Sequence, residues 1–282
     1  MMQAHLFCFL ASYFVAFVCE LGRLRISAVA LRWVSLLATL AGMIAQTWYL
    51  AARAISSHRP PLVASTHDWL LVSAWLLIGG YLLYVIWNWK KSGFESLGLF
   101  VLPAALMLVS VSRLLNDQSQ GILDQQRIVT MVHASSLGIG ITAVLIGFLL
   151  SLMYLLQHRR LKRKQTSTSR FSLPPLASLA RMSRWTVLFS IVMLTTGLIS
   201  GFVLIFAQQK AARPISWTDP VIIGFTLIWA AMMLGFGWLM KSKGTSGKQV
   251  ALLNAWALGF LVITLVGLQV LVSLAGVASQ HN

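Results

Sequence analysis

The 282 residues read as an all-α protein: a polytopic membrane helix bundle with about eight transmembrane helices and with the N-terminus and C-terminus outside. Three observations carry that reading. Hydrophobic residues make up 58% of the chain and charged residues 10%, whereas a soluble domain carries about 25% charge. There are too few charges to coat a soluble surface, which excludes a soluble enzyme and a disordered chain, and two cysteines exclude a disulfide scaffold. Apolar stretches of about 20 residues, the length a hydrocarbon core requires, recur along the sequence. The 22 Lys and Arg residues also sort between alternate connections, as the positive-inside rule demands.

The segments fall at roughly 3–20, 27–52, 69–89, 95–115, 129–156, 184–208, 219–240 and 250–275. No period-two alternation recurs, so an outer-membrane barrel is excluded. The first segment lacks a basic leader, its charges follow the apolar run, and no small-residue cleavage site stands out; it reads as a helix inserted N-terminus outward rather than as a signal peptide. Cys8 and Cys19 both lie in it, about 16 Å apart along a helix, too far for a disulfide. No CxxC or CxxCH occurs, which excludes a thiol oxidoreductase and a c-type cytochrome.

The fifth segment carries His133, Ser136, Gly140, Ala143, Gly147, Ser151 and Tyr154 at helical spacing on one face. Small residues on one face let helices approach closely. The stripe is either a packing seam or a seam that ends in a metal-binding imidazole. Pro174 and Pro175 restart the chain before the sixth segment. The seventh opens on ISWTDP, where Asp219 suits an N-cap, Pro220 a first turn and Trp217 the interfacial aromatic belt.

Four connections share 16 of the 22 basic residues: the first with Arg23, Arg25 and Arg32, the third with Lys90 and Lys91, the fifth with eight between Arg159 and Arg184, and the seventh with Lys241, Lys243 and Lys248. The other six lie on the opposite side. Odd-numbered connections are therefore cytoplasmic. The net charge of +16 is a consequence of topology, and nucleic acid is excluded as a partner. Residues 157–183 form a basic cytoplasmic loop, solvated or resting on anionic lipid. The outer loops are short, so 1–282 is a single membrane domain, with no internal repeat.

Charged residues avoid mid-membrane. Glu20, Arg32, Glu95 and Arg113 lie at helix ends, which argues against an ion-coupled transporter. His5, His58, His67, His133 and His281 fall on the external side and His158 on the cytoplasmic side. His5, His58 and His158 read as solvated residues. His133 differs, because it sits about one turn inside the fifth helix, where an imidazole is costly unless paired or ligated.

The ordered set of segments resembles the cytochrome c assembly family, the CcsA- and CcmC-like haem-handling membrane proteins, and most of all its HemX-like eight-helix branch. The likeness rests on TLAGMIAQTWYLAARA at 39–54, DWLLVSAWLLIGGYLL at 68–83, LGLFVLPAALM at 97–107, VHASSLGIGITAVLIGFLLSLMYLL at 132–156, LPPLASLARMSRWTVLFSIVMLTTGLISG at 173–201, SWTDPVIIGFTLIWAAM at 216–232 and GLQVLVSLAGVASQHN at 267–282. The resemblance implies an external histidine pair, His133 and His281, as axial ligands of haem b, with Trp217 flanking the porphyrin and Asp219 capping the helix beside it. Relatives carry transmembrane histidines where this chain has Gln46 and Gly237, and often a tryptophan where it has Gly224. The implied location is the inner (plasma) membrane. The implied partners are haem, apocytochrome c, other cytochrome c assembly membrane proteins and lipid. Covalent attachment would need a partner presenting the acceptor cysteines, so the chain is not an enzyme by itself. Two other classes remain open: a haem-free scaffold or regulator of assembly, and a small-solute or cation transporter.

Overall fold

A computed structural model describes residues 2–26, 29–57, 66–88, 96–113, 127–163, 173–208, 220–241, 247–249, 251–253, 255–256 and 259. Its helices are α1 (Met2–Arg23), α2 (Val29–Ser57), α3 (Thr66–Trp87), α4 (Gly98–Ser112), α5 (Arg127–Lys162), α6 (Leu176–Gln208) and α7 (Pro220–Lys241). No strand occurs among the described residues. These seven coincide with the first seven apolar segments of the sequence. The eighth segment, 250–275, lies for the most part outside the described residues.

Hydropathy located the segments but not their ends. Helix α5 runs on through Arg159, Arg160 and Lys162, and α6 begins at Leu176, directly after the Pro174–Pro175 pair. The stretch 157–183 is therefore helical at both ends. Charged side chains do not stop a helix once it has left the hydrocarbon. At 36 residues, α5 is roughly 54 Å long against a core of about 30 Å. Pro103 lies inside α4, a helix of 15 residues. By length and composition, Val29–Ser56, His67–Trp87, Ile128–Lys162 and Leu176–Ala207 are each able to cross a membrane.

The chain divides into two compact units, Met1–Ser119 with Leu156–Pro175, and Gln120–Leu155 with Leu176–Asn282. In the first, α1 packs on α2 and α4, α2 on α3, and α3 on α4, so the four helices close a ring. Its interior is largely apolar, but the inward face of α2 is polar. On α2 the buried positions are Ser35, Thr39, Gly42, Gln46, Tyr49 and Leu50, while Trp33, Leu37, Ile44 and Trp48 face outward. A water-soluble helix shows the reverse order. Lipid explains it, because apolar side chains on the outside cost nothing there and polar groups must find partners within. Accordingly Thr39 donates to the Ser35 carbonyl at 2.7 Å, and Ser35 Oγ donates to Glu20 Oε1 at 2.8 Å. The protein is a multi-pass membrane protein.

Two close approaches set the ring. A methyl group on Gly42 would lie 2.6 Å from the Tyr13 ring, so only glycine admits that ring between α1 and α2. A methyl group on Gly98 would meet the Tyr81 hydroxyl at 2.7 Å and the Glu20 carboxyl carbon at 3.2 Å. Glu20, buried at the end of α1, takes two hydrogen bonds from Arg23, at 2.9 and 3.0 Å.

In the second unit α5 and α6 run antiparallel. The register appears in four contacts: Gly201 on His133, Gly197 on Leu137, Leu194 on Gly140, and Ser183 Oγ 3.3 Å from Ser151 Oγ. Paired numbers stay near a constant sum along the seam, as antiparallel helices require. Helix α7 joins through Trp229, whose Nε1–H donates to Thr195 Oγ1 at 2.8 Å and whose ring packs against Val144 and Leu194.

Candidate functional site

The seam residues of α5 are buried from Ser136 to Tyr154, so the small-residue stripe is a packing face. The same stripe also carries an imidazole at its N-terminal end. His133 is half-buried, and its Nδ1 lies 2.8 Å from the Gly197 carbonyl of α6. A carbonyl only accepts, so Nδ1 carries the proton and Nε2 carries the lone pair. Ser200 Oγ stands 3.5 Å from the same Nδ1 and itself donates to the Gly197 carbonyl at 2.9 Å. A methyl group on Gly201 would lie 2.9 Å from His133 Cε1 and 3.2 Å from Nδ1. The ring therefore rests in a glycine notch, held from one side by a backbone oxygen.

A neutral imidazole whose Nδ1–H is tied to a carbonyl is the form in which histidine ligates haem iron, with tautomer and ring plane set in advance. His133 thus fits an axial ligand. No cluster of three or more His, Cys, Asp or Glu able to hold a bare metal ion occurs among the described residues.

The remaining sequence-derived candidates fare unequally. Trp217, Asp219 and His281 lie outside the described residues, as does His58. His5 lies on α1. Gln46, at the position where relatives carry histidine, is fully buried. It accepts from the Tyr13 hydroxyl at 2.6 Å and donates to the Leu71 carbonyl at 2.9 Å. Both ends of its amide are thereby occupied in joining α1, α2 and α3. Gly237 is exposed on α7, with open space where a side chain would stand.

Sequence reasoning passed over a second polar centre, in the first unit. His67 is buried at the start of α3, and its Nδ1–H donates to the Ser112 carbonyl, at the end of α4, at 2.7 Å. The Tyr49 hydroxyl lies 3.5 Å from its Nε2. Beside it Asp68, fully buried, pairs with Arg53 of α2. The acid sits in the first turn of α3, where a helix N-terminus favours negative charge. A signal existed in the sequence: Tyr49 and Arg53 are four residues apart, on one face near the end of α2, across a short connection from His67 and Asp68.

The sequence model of a family described as cytochrome C assembly protein matches residues 67–277, which include His67 and His133 but not His281. No curated protein and no solved structure matched the chain.

Proposed function

The chain belongs to the cytochrome c assembly protein family, and from that premise we propose that it is a haem-handling protein of the inner (plasma) membrane that assists c-type cytochrome biogenesis, holding haem b through His133 and His281 on the external face. The observation that carries this reading is the His133 imidazole, fixed by the Gly197 carbonyl in the tautomer that leaves Nε2 as the ligating nitrogen. His281 supplies the second imidazole from the tail. Trp217 flanks the porphyrin, and Asp219 caps α7 beside it. Bound there, haem supplies the vinyl groups that acceptor cysteines attack. The chain's own residues bind and orient it, while a partner brings apocytochrome c. The HemX-like branch is the part of the family whose pattern fits best.

A second reading is favoured by one specific observation. Gln46 stands where a transmembrane ligand would be, and its amide is committed to helix packing. A chain with that position closed suits a scaffold or regulator of assembly that carries no haem. Transport of a small solute or cation has less behind it. The buried carboxylates among the described residues, Glu20 and Asp68, each pair with an arginine. An absorption spectrum of detergent-purified protein, with and without added haem, separates the readings. A Soret band with low-spin features supports the haem carrier, and its absence after loading supports the scaffold.

A further inference from the structure

The geometry points to the α6 notch, made of the Gly197 carbonyl and the missing side chain of Gly201, as the positioning element of the His133 ligand; this inference rests on the haem reading above for its consequence, though not for its geometry. The notch does two separable things. The carbonyl selects the Nδ1–H tautomer, which hands the lone pair to Nε2. Gly201 sets the ring plane, because any β-carbon there would press on Cε1 at 2.9 Å and on Nδ1 at 3.2 Å. Neither residue touches the iron; both act through His133.

The identity of the acceptor sets the strength of the ligand. A ring N–H bound to a carboxylate gives the imidazole anionic character and a firm hold on ferric iron. One bound to a neutral carbonyl remains a neutral imidazole of moderate basicity. The Ser200 hydroxyl, 3.5 Å from Nδ1, is likewise uncharged. The notch therefore tunes His133 for a ligand that orients haem yet lets it go, as a carrier requires.

Two arms of one experiment test this. In haem-free protein labelled with 15N-histidine, the signal lost in His133→Gln should show a protonated Nδ1 and a bare Nε2; the opposite tautomer overturns the inference. In haem-loaded protein, His133→Gly opens a cavity for a free base. Imidazole, which keeps an N–H for the Gly197 carbonyl, should restore the Soret band. 1-Methylimidazole, which ligates iron equally but presents a methyl group to the notch, should need at least about a tenfold higher concentration. Equal rescue by both overturns the inference while leaving His133 as the ligand. Gly201→Ala should shift the low-spin spectrum through the displaced ring, whereas Gly80→Ala, whose added methyl group meets nothing within 4 Å, should not. Wild-type protein that never takes up haem would sink the haem reading, and the notch would then stand or fall on the tautomer.

Discussion

The Tyr13 hydroxyl donates to Gln46 Oε1 at 2.6 Å, with both side chains fully buried between α1 and α2. Gly42, one turn before Gln46, makes the contact possible by leaving room for the Tyr13 ring. The other end of the Gln46 amide reaches the Leu71 carbonyl, so one side chain joins three helices. Tyr13→Phe should remove one hydrogen bond and leave the amide oxygen bare, costing about 1 kcal/mol. Gly42→Ala should cost more, since the ring itself must move. Thermal unfolding in detergent measures both, and an unchanged midpoint for Tyr13→Phe would mean the clamp holds nothing.

The Arg53–Asp68 pair behaves differently, because both partners are charged and Asp68 is fully buried. Breaking a buried pair strands a charge and typically costs about 3 kcal/mol or more, whereas replacing both partners by apolar residues is often neutral. Arg53→Met should therefore destabilise the protein more than Arg53→Met with Asp68→Leu. A double variant no better than the single one would show that Arg53 acts through some other contact.

These two centres mark where the sequence could be read and where it could not. Hydropathy located α1 to α7 because apolar length is a local property, and the stripe from His133 to Tyr154 was visible because helical spacing is local too. Gln46 could be seen only as a departure from a histidine; that its amide spans α1 and α3 depends on residues 33 positions before and 25 after it. In the sequence His67 reads only as lying on the external side, and only the fold brings the Ser112 carbonyl to its ring. The inside-out polarity of α2 was present in the spacing of Ser35, Thr39 and Gln46, but a window average over the helix hides it. The ends of α5 and α6 were missed because charge was taken as the end of a helix rather than the end of the hydrocarbon.

Topology gives a third prediction. With 16 basic residues on the odd-numbered connections and 6 on the even ones, both termini should be external. A reporter fused after Asn282 should be active only in a form that requires the external compartment. Cytoplasmic activity of that fusion would move His133 to the other face and remove the haem site from its acceptor.

The basic end of α5 provides a control for the site. Arg159, Arg160 and Lys162 close that helix, whereas His133 lies in its second turn, about 40 Å away along the axis. Replacing Arg159, Arg160, Lys162, Arg163 and Lys164 with Gln should disturb insertion or lipid contact and leave the Soret band of inserted protein unchanged. A spectral shift in correctly inserted protein would place the ligand at the wrong end of α5.

The decisive prediction concerns the two axial ligands, which are unequal. His133 is carried by a packed helix and braced by α6, whereas His281 is the penultimate residue of the chain. A ligand held in place before binding loses less freedom than one on a chain end. His133→Ala should therefore abolish most haem binding. His281→Ala should leave a weaker haem, five-coordinate or water-ligated, with a shifted Soret band that added imidazole partly restores. If His133→Ala removes haem while His281→Ala changes nothing, His281 is not the second ligand. If neither His133→Ala nor His281→Ala alters the spectrum of haem-loaded protein, the bis-histidine site is wrong. The His133 notch would then be only a packing contact between α5 and α6.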